Sequence, residues 1–310
     1  SMSLVLVIFM GQMQQWIWNN TIDTSIAQNV GHIQICDTAF ADESILDNSI
    51  SIDLVDTASV RLIEGVRGVY PRINFGALAS YQVQAKSIGV SGFTPSLDSV
   101  ELKMGKKLKK GELLNDDDKS ILITSTMANY FKVDVGDTLV LIGQGFQGVT
   151  AAGLFPIKGI LNYPAGPMTN IAFMAMNECQ EFYAMEGRVT NVLVNLEDNK
   201  GLYKTQSQIK SIITDKALMV RNWEEVSPGF KEAMDFDTAT KGAMMSVLLM
   251  IVAFGIFGTI VMMFGERVME FCVLLSIGMQ KTKILLTTVI EVFILTTLGI
   301  LASWVIISPL

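Results

Sequence analysis

An α+β domain outside the cytoplasm, attached to transmembrane α-helices, is the fold class the sequence predicts, on three observations. Two long apolar runs occupy the C-terminal end of the 310-residue chain, a shorter one stands at its start, and the stretch between alternates strand-like with helix-like patterns. A mean hydropathy of +0.42 and a hydrophobic share of 50% go with that mixture. Yet Asp+Glu 30 against Lys+Arg 23 leaves a net charge of −7, with most of the acidity within residues 12–241. That segment is long enough for one or two domains. Its acidic balance argues against nucleic acid, which needs a basic stripe.

The apolar runs are justified one by one. Residues 243–264 hold no charge, and at about 1.5 Å rise per residue they cross a hydrocarbon core of about 30 Å. Residues 284–307 are equally apolar apart from Glu291, and Ser308-Pro309 beyond them suits a helix exit. The patch at residues 4–10 is too short to cross, so residues 1–12 are read as the end of a span whose start is cut off. A signal peptide is the competing reading, but the basic n-region and an A-x-A-like site are missing. Orientation follows from residues 265–283: Arg267, Lys281 and Lys283 flank the membrane there, and short basic connections stay cytoplasmic. Glu266 and Glu270 share that connection. The acidic domain, residues 13–222, is therefore expected outside.

Within the domain, His32 to Cys36 alternate as a half-buried strand does. Ser51 or Asp53 is placed to cap a helix with Leu54, Val55, Leu62 and Ile63 on one face, stopped by Gly65 and Gly68. A strand over residues 81–89 follows, then a turn-rich Gly92-Phe93-Thr94-Pro95 and a charged loop over residues 103–119. β-branched strands at residues 120–124 and 138–142 flank a short helix at residues 125–131. A helix around residues 177–185, a strand at 191–195 and a helix at 202–213 complete the α+β pattern. Residues 223–242 read as a helix running into the span at 243–264, with Pro228 in its first turn. It is either a stiff stalk or a helix docked on the domain; the pattern accommodates both.

Chemistry-bearing motifs are sparse. Gly143-Gln144-Gly145-Phe146-Gln147-Gly148 matches a dinucleotide fingerprint by letter, but a strand with Gly153 and Pro156 follows where a helix is required, so a hairpin loop is expected. Asp116-Asp117-Asp118 lacks the spaced ligands and glycine of a calcium loop and reads as a solvated turn. His32 is the one histidine, which excludes a two-histidine zinc helix, and neither a phosphate loop nor a nucleophile elbow is present. No catalytic, cofactor-binding or metal-binding residue is assigned. Cys36 and Cys179 would share an oxidising compartment and can pair only if the fold brings them together. Cys272 reads as a packed helix residue. Glu291 is the ionisable group deep in a span; it either bonds a neighbouring helix or faces a water-filled cavity, and a structural role is preferred because no partner is visible.

Glu266-Arg267-x-x-Glu270-Phe271-x-Val273-Leu274-x-x-Ile277-Gly278, with Ile284 and Glu291 after it, resembles the signature of FtsX-like permeases, the membrane subunits of type VII ABC transporters. Gly31-His32-Ile33-Gln34-Ile35, Gly136-Asp137-Thr138 and Trp223-Glu224-Glu225 look like the LolC/LolE lipoprotein-releasing branch, with the periplasmic core domain of MacB-type exporters. The resemblance covers essentially the whole chain; it departs in the first span, cut short at Ser1, and in a fourth span expected after Leu310.

The resemblance implies a bacterial inner-membrane, multi-pass protein with a large periplasmic domain and no catalytic site of its own. A separate ABC ATPase dimer would bind the cytoplasmic face, beside a second permease subunit and membrane lipids. By position, Glu266, Arg267, Glu270, Phe271 and Gly278 would form the ATPase-coupling segment, with Arg267 and Glu270 on its exposed face. In lipoprotein-releasing relatives acyl chains sit between the spans, which makes Met244, Met245, Leu248, Ile251 and Met263 candidates for lining the cargo; they serve equally as packing or lipid-facing residues. Lipoprotein release is the leading expectation. Efflux with a periplasmic adaptor and outer-membrane duct, or control of a periplasmic wall hydrolase, are the alternatives.

Overall fold

A computed structural model describes residues 12–13, 30–98, 101–163 and 167–307. The patch at residues 4–10, on which both the truncated span and the signal peptide were weighed, lies outside them, as do residues 308–310. The chain divides into two compact units, Ile22–Pro228 on one hand and Ser1–Thr21 with Gly229–Leu310 on the other.

In the first unit, twelve strands are found among the described residues: β1 (Ile33–Asp37), β2 (Ile50–Ser51), β3 (Val66–Tyr81), β4 (Gln84–Phe93), β5 (Leu108–Gly111), β6 (Ile121–Thr124), β7 (Thr138–Gln144), β8 (Thr150–Leu161), β9 (Ile171–Ala175), β10 (Arg188–Val189), β11 (Asn191–Leu196) and β12 (Leu218–Asn222). Ten form one sheet in the order β12-β1-β11-β3-β4-β9-β6-β8-β5, while β7 pairs with both β3 and β8. That double pairing returns the hydrogen-bonding path to β3, so β3, β4, β9, β6, β8 and β7 close into a ring without a free edge. β6 and β11 are buried at every residue, which is why both read as runs with little alternation.

β3 belongs to both halves of this sheet. Its first part pairs with β11 as far as Arg72↔Asn191, and from Ile73↔Gly92 onward it pairs with β4. At the changeover, Arg72 Nη1 donates to Asp98 Oδ2, which also accepts the Thr94 N–H at 2.9 Å. Both partners are buried, Arg72 at 3% exposure and Asp98 at 0%. Asp98 Oδ1 has no hydrogen-bond partner. Burial pushes the Asp98 carboxyl above its usual range, against the pull of Arg72. Phe93, Leu122, Leu161 and Phe173 from four strands pack with Leu102, Met104 and Tyr163 into one core cluster.

Helices cover the sheet. Ser125–Phe131 forms as expected, capped by Thr124 Oγ1, which accepts the Met127 N–H at 3.4 Å, and ended by left-handed Lys132. Met176–Tyr183 and Leu202–Ile212 match the expected helices, the latter against β12. The Gly143–Gly148 loop joins antiparallel β7 and β8, so the hairpin reading is what the structure shows.

Three expectations are corrected. The helix expected after Ser51 or Asp53 is a single 3-10 turn, Ile52–Leu54, followed by Thr57–Arg61 with Asp56 as its cap. The strand expected at residues 81–89 is the second arm of a longer hairpin whose first arm is β3. Residues 223–242 are not one helix: Trp223–Val226 is a separate turn, Ser227 leaves helical geometry at φ −126°, and the next helix starts at Pro228. A residue before proline is pushed out of the α region, which accounts for the break.

The second unit holds the helices Pro228–Glu266 (39 residues), Val268–Ser276 (9 residues) and Lys281–Ile307 (27 residues). Among the described residues, Pro228–Glu266 is the helix long and apolar enough to cross a membrane, with a mean hydropathy of 2.7 over its most apolar window. None of its residues is buried. An apolar window of that length with no residue buried suits a lipid surrounding.

Candidate functional site: the elbow between two long helices

The expected coupling segment is a folded elbow. Helix Pro228–Glu266 stops at Arg267, whose φ −101° and ψ 5° leave helical geometry and whose N–H bonds Phe264 O at 3.2 Å. Val268–Ser276 starts at once, its first turn closed by the Phe271 N–H to Arg267 O at 3.0 Å. It ends on Gly278, at φ +94°, where the Gly278 N–H bonds Leu275 O and the Met279 N–H bonds Leu274 O, both at 3.0 Å. Those paired bonds are a Schellman end, whose left-handed position favours glycine. Nothing lies within 4 Å of where a Gly278 Cβ would stand, so its requirement is conformational. Gln280 O then accepts the Lys283 N–H at 2.9 Å and opens helix Lys281–Ile307.

Side chains brace the break. Phe264 and Phe271 lie across it with ring centroids 5.1 Å apart. Arg267 Nη1 reaches both carboxylate oxygens of Glu291, at 2.9 Å and 2.7 Å. Glu291 thus has the partner that linear sequence did not show. It shares a helix face with Ile284 and Thr288, both buried at 9% exposure, a spacing of four and then three residues. Arg267 is turned toward this chain's own carboxylate and is half-exposed, whereas Glu266 and Glu270 are exposed. Glu270 lies on a stripe with Val273 and Ile277, the latter 78% exposed, beside Met269 at 79%.

The other named positions divide by face. Met245, Leu248 and Met263 lie on the half-buried stripe of helix Pro228–Glu266, together with Val252 and Ile260, while Met244 and Ile251 are exposed.

In the first unit, two quoted motifs meet. β1 pairs with β12 so that Ile33 faces Asn222, and the Trp223 N–H bonds His32 O at 3.0 Å. Asn222 and Glu225 form a capping box: Asn222 Oδ1 accepts the Glu225 N–H at 3.0 Å, and the Asn222 N–H bonds Glu225 Oε2 at 2.9 Å. Gln206 Nε2 joins it at 2.9 Å. Gly31–Ile35 and Trp223–Glu225 therefore fasten the point where the chain enters and leaves the domain. Sequence reasoning missed this because two remote segments meet there.

Among the described residues no group of three His, Cys, Asp or Glu side chains is placed to hold a metal. The aspartate run forms a turn and an ion pair: Asp116 Oδ1 accepts the Ser96 N–H at 2.9 Å, and Asp118 Oδ2 the Asn115 N–H at 2.7 Å and Lys158 Nζ at 2.5 Å. Cys36 and Cys179 are free and buried, and burial raises both thiol pKa values; Cys272 is exposed, not packed as expected.

Residues 1–212 match the profile of the MacB-like periplasmic core domain, more than half of the chain, and the protein belongs to that family. This bears out the resemblance to FtsX- and MacB-like permeases. A curated relative is the lipoprotein-releasing system transmembrane protein LolC of Neisseria meningitidis serogroup B (strain ATCC BAA-335 / MC58), 18% identical over 231 residues, which are 72% of this chain and 55% of the relative. The chain thus spans about half the length of that relative. Similar solved structures include the extracellular domain of the noncanonic ABC-type transporter YknZ from Gram-positive bacteria, with TM-score 0.44 and 15% identity, covering 61% of this chain and 99% of that one. Another is the periplasmic region of MacB from Actinobacillus actinomycetemcomitans, with TM-score 0.45 and 11% identity, covering 68% and 98%.

Proposed function

We propose that this protein is the membrane subunit of a type VII ABC transporter in a bacterial inner membrane, passing ATP-driven movement from a cytoplasmic ATPase dimer to a periplasmic domain. It carries no catalytic site in this reading. The observation that carries it is the elbow: a short helix set off from two long ones by the break at Arg267 and the turn at Gly278, with Glu266, Glu270, Met269, Val273 and Ile277 exposed. Such a mixed acidic and apolar surface suits a protein partner, charge setting register and apolar groups supplying burial. Gly278 and Phe271 shape that helix. Arg267, Lys281 and Lys283 place it in the cytoplasm by the basic-loop rule, with residues 243–264 and 284–307 as spans.

A second permease copy or paralogue completes the assembly, covering apolar surface that one chain leaves open. Lipoprotein release is the transport reading, supported by the name of the curated relative. Met244 and Ile251 then face the cargo or lipid, while Met245, Leu248 and Met263 support them from the half-buried side.

The test is purification from native membranes with identification of what binds, together with the Glu266→Ala/Glu270→Ala double variant. Wild type is expected to bring down an ATPase and a lipidated protein, and the double variant to insert normally but lose the ATPase. Unchanged ATPase recovery and transport in the variant would remove the coupling surface. Recovery of an adaptor or a wall hydrolase in place of lipidated cargo would replace the transport reading. Labelling of Lys281 and Asp117 from the same side would remove the topology.

A further inference from the structure

We infer that Arg267 and Glu291 form an internal latch that sets the angle of the elbow, so that Arg267 positions the coupling helix and does not dock a partner. The inference deepens the proposed function and rests on it only for the transport readout.

Arg267 is the single residue between the end of one helix at Glu266 and the start of the next at Val268, so its side chain springs from the bend itself. Its guanidinium reaches Glu291 on a third helix, Lys281–Ile307, through both oxygens at 2.9 Å and 2.7 Å. One ion pair therefore ties the bend to a helix that begins only after the Gly278 reversal. Any movement of helix Lys281–Ile307 away from residue 267 must stretch or break it.

Among the described residues no other charge pairs with Glu291. Glu291 is the ionisable residue within residues 284–307, and Lys283, eight positions earlier on the same helix, lies about 12 Å away along its axis. The Glu266 and Glu270 side chains are exposed and make no ion pair with Arg267 among the described residues. Glu291 lies on the face shared with buried Ile284 and Thr288. A carboxylate in an apolar helix needs a partner, and Arg267 supplies one through both oxygens, a two-point contact that fixes direction as well as distance. The Phe264–Phe271 contact at 5.1 Å is a separate strut. Loss of the ion pair therefore loosens the elbow without unfolding it.

The experiment uses the full-length permease, copurified with its partners and reconstituted in liposomes. Spin labels at the exposed positions Met269 and Leu285 report the elbow. Arg267→Ala and Glu291→Gln are expected to broaden the label–label distance distribution and lower transport per ATP about tenfold, with ATPase recovery within about twofold of wild type. The charge swap Arg267→Glu/Glu291→Arg is expected to restore the narrow distribution and most of the transport. A swap no better than the single variants overturns the latch. So does a Glu291→Gln protein with wild-type distances, and so does Arg267→Ala losing the ATPase while Glu291→Gln keeps both partner and transport. If wild type binds no ATPase, the proposed function fails, and the label distances still decide the latch by themselves.

Discussion

Replacing Arg72 by methionine should destabilise the outer domain by about 3–5 kcal/mol at pH 7, because it strands a buried carboxylate. Asp98 is 0% exposed, its Oδ1 already lacks a partner, and without Arg72 only the Thr94 N–H remains on Oδ2. For a domain of this size the loss corresponds to a fall of roughly 6–20 °C in thermal midpoint. The pH dependence carries a defined sign. Burial already raises the folded-state pKa of Asp98 while Arg72 pulls it down, so removing Arg72 raises it further. In the window between the unfolded value of about 4 and that raised value the folded state binds more protons than the unfolded one, and stability falls as pH rises. The deficit of Arg72→Met should therefore shrink from pH 7 toward pH 4. Arg72→Met/Asp98→Leu should recover most of the stability, since a buried pair exchanged for apolar groups is often neutral. Denaturant unfolding of residues 22–228, followed by circular dichroism at several pH values, measures all three. A single-variant loss below about 1 kcal/mol, or one independent of pH, would refute the reasoning.

Gly111→Ala places a Cβ 2.1 Å from Lys158 O at φ +80°, and a loss of about 3 kcal/mol is expected in the same unfolding assay. Gly278→Ala meets no atom within 4 Å and should cost about 1–2 kcal/mol in the thermal unfolding of the detergent-purified protein, with Gly278→Asn milder. Asn222→Ala removes the capping box and should cost about 1 kcal/mol in the outer domain, read from the denaturation midpoint. The Cys36 and Cys179 thiols should resist maleimide in the native domain and react once it unfolds; a Cys36–Cys179 disulfide found by mass spectrometry would contradict the fold.

Local signals carried much of this architecture into the sequence. The Ser125–Phe131 helix, with Thr124 before it, and strands such as β1 and β7 are set by neighbours along the chain. β3 was hidden because Gly68, Pro71 and Gly76 interrupt its pattern. The fold tolerates Pro71 since pairing with β4 begins only at Ile73, so one side of β3 is free of a ladder there. Family likeness led to the expectation of a coupling segment at these charged residues, but the turn of Arg267 toward Glu291 could not be read from the sequence. Its carboxylate partner lies 24 positions on, beyond a glycine reversal, and linear spacing does not tell which way such a bend folds.

The shared strand β3 bears on how a pull would travel through the outer domain. At about 3.3 Å per residue its 16 residues run roughly 50 Å, bonded along successive stretches to β11, β4 and β7. Tension along such a strand loads many ladder bonds at once in shear, instead of peeling them one by one. A tug delivered near Val66 would reach the Tyr81 tip with little slack, as along a rod rather than a spring.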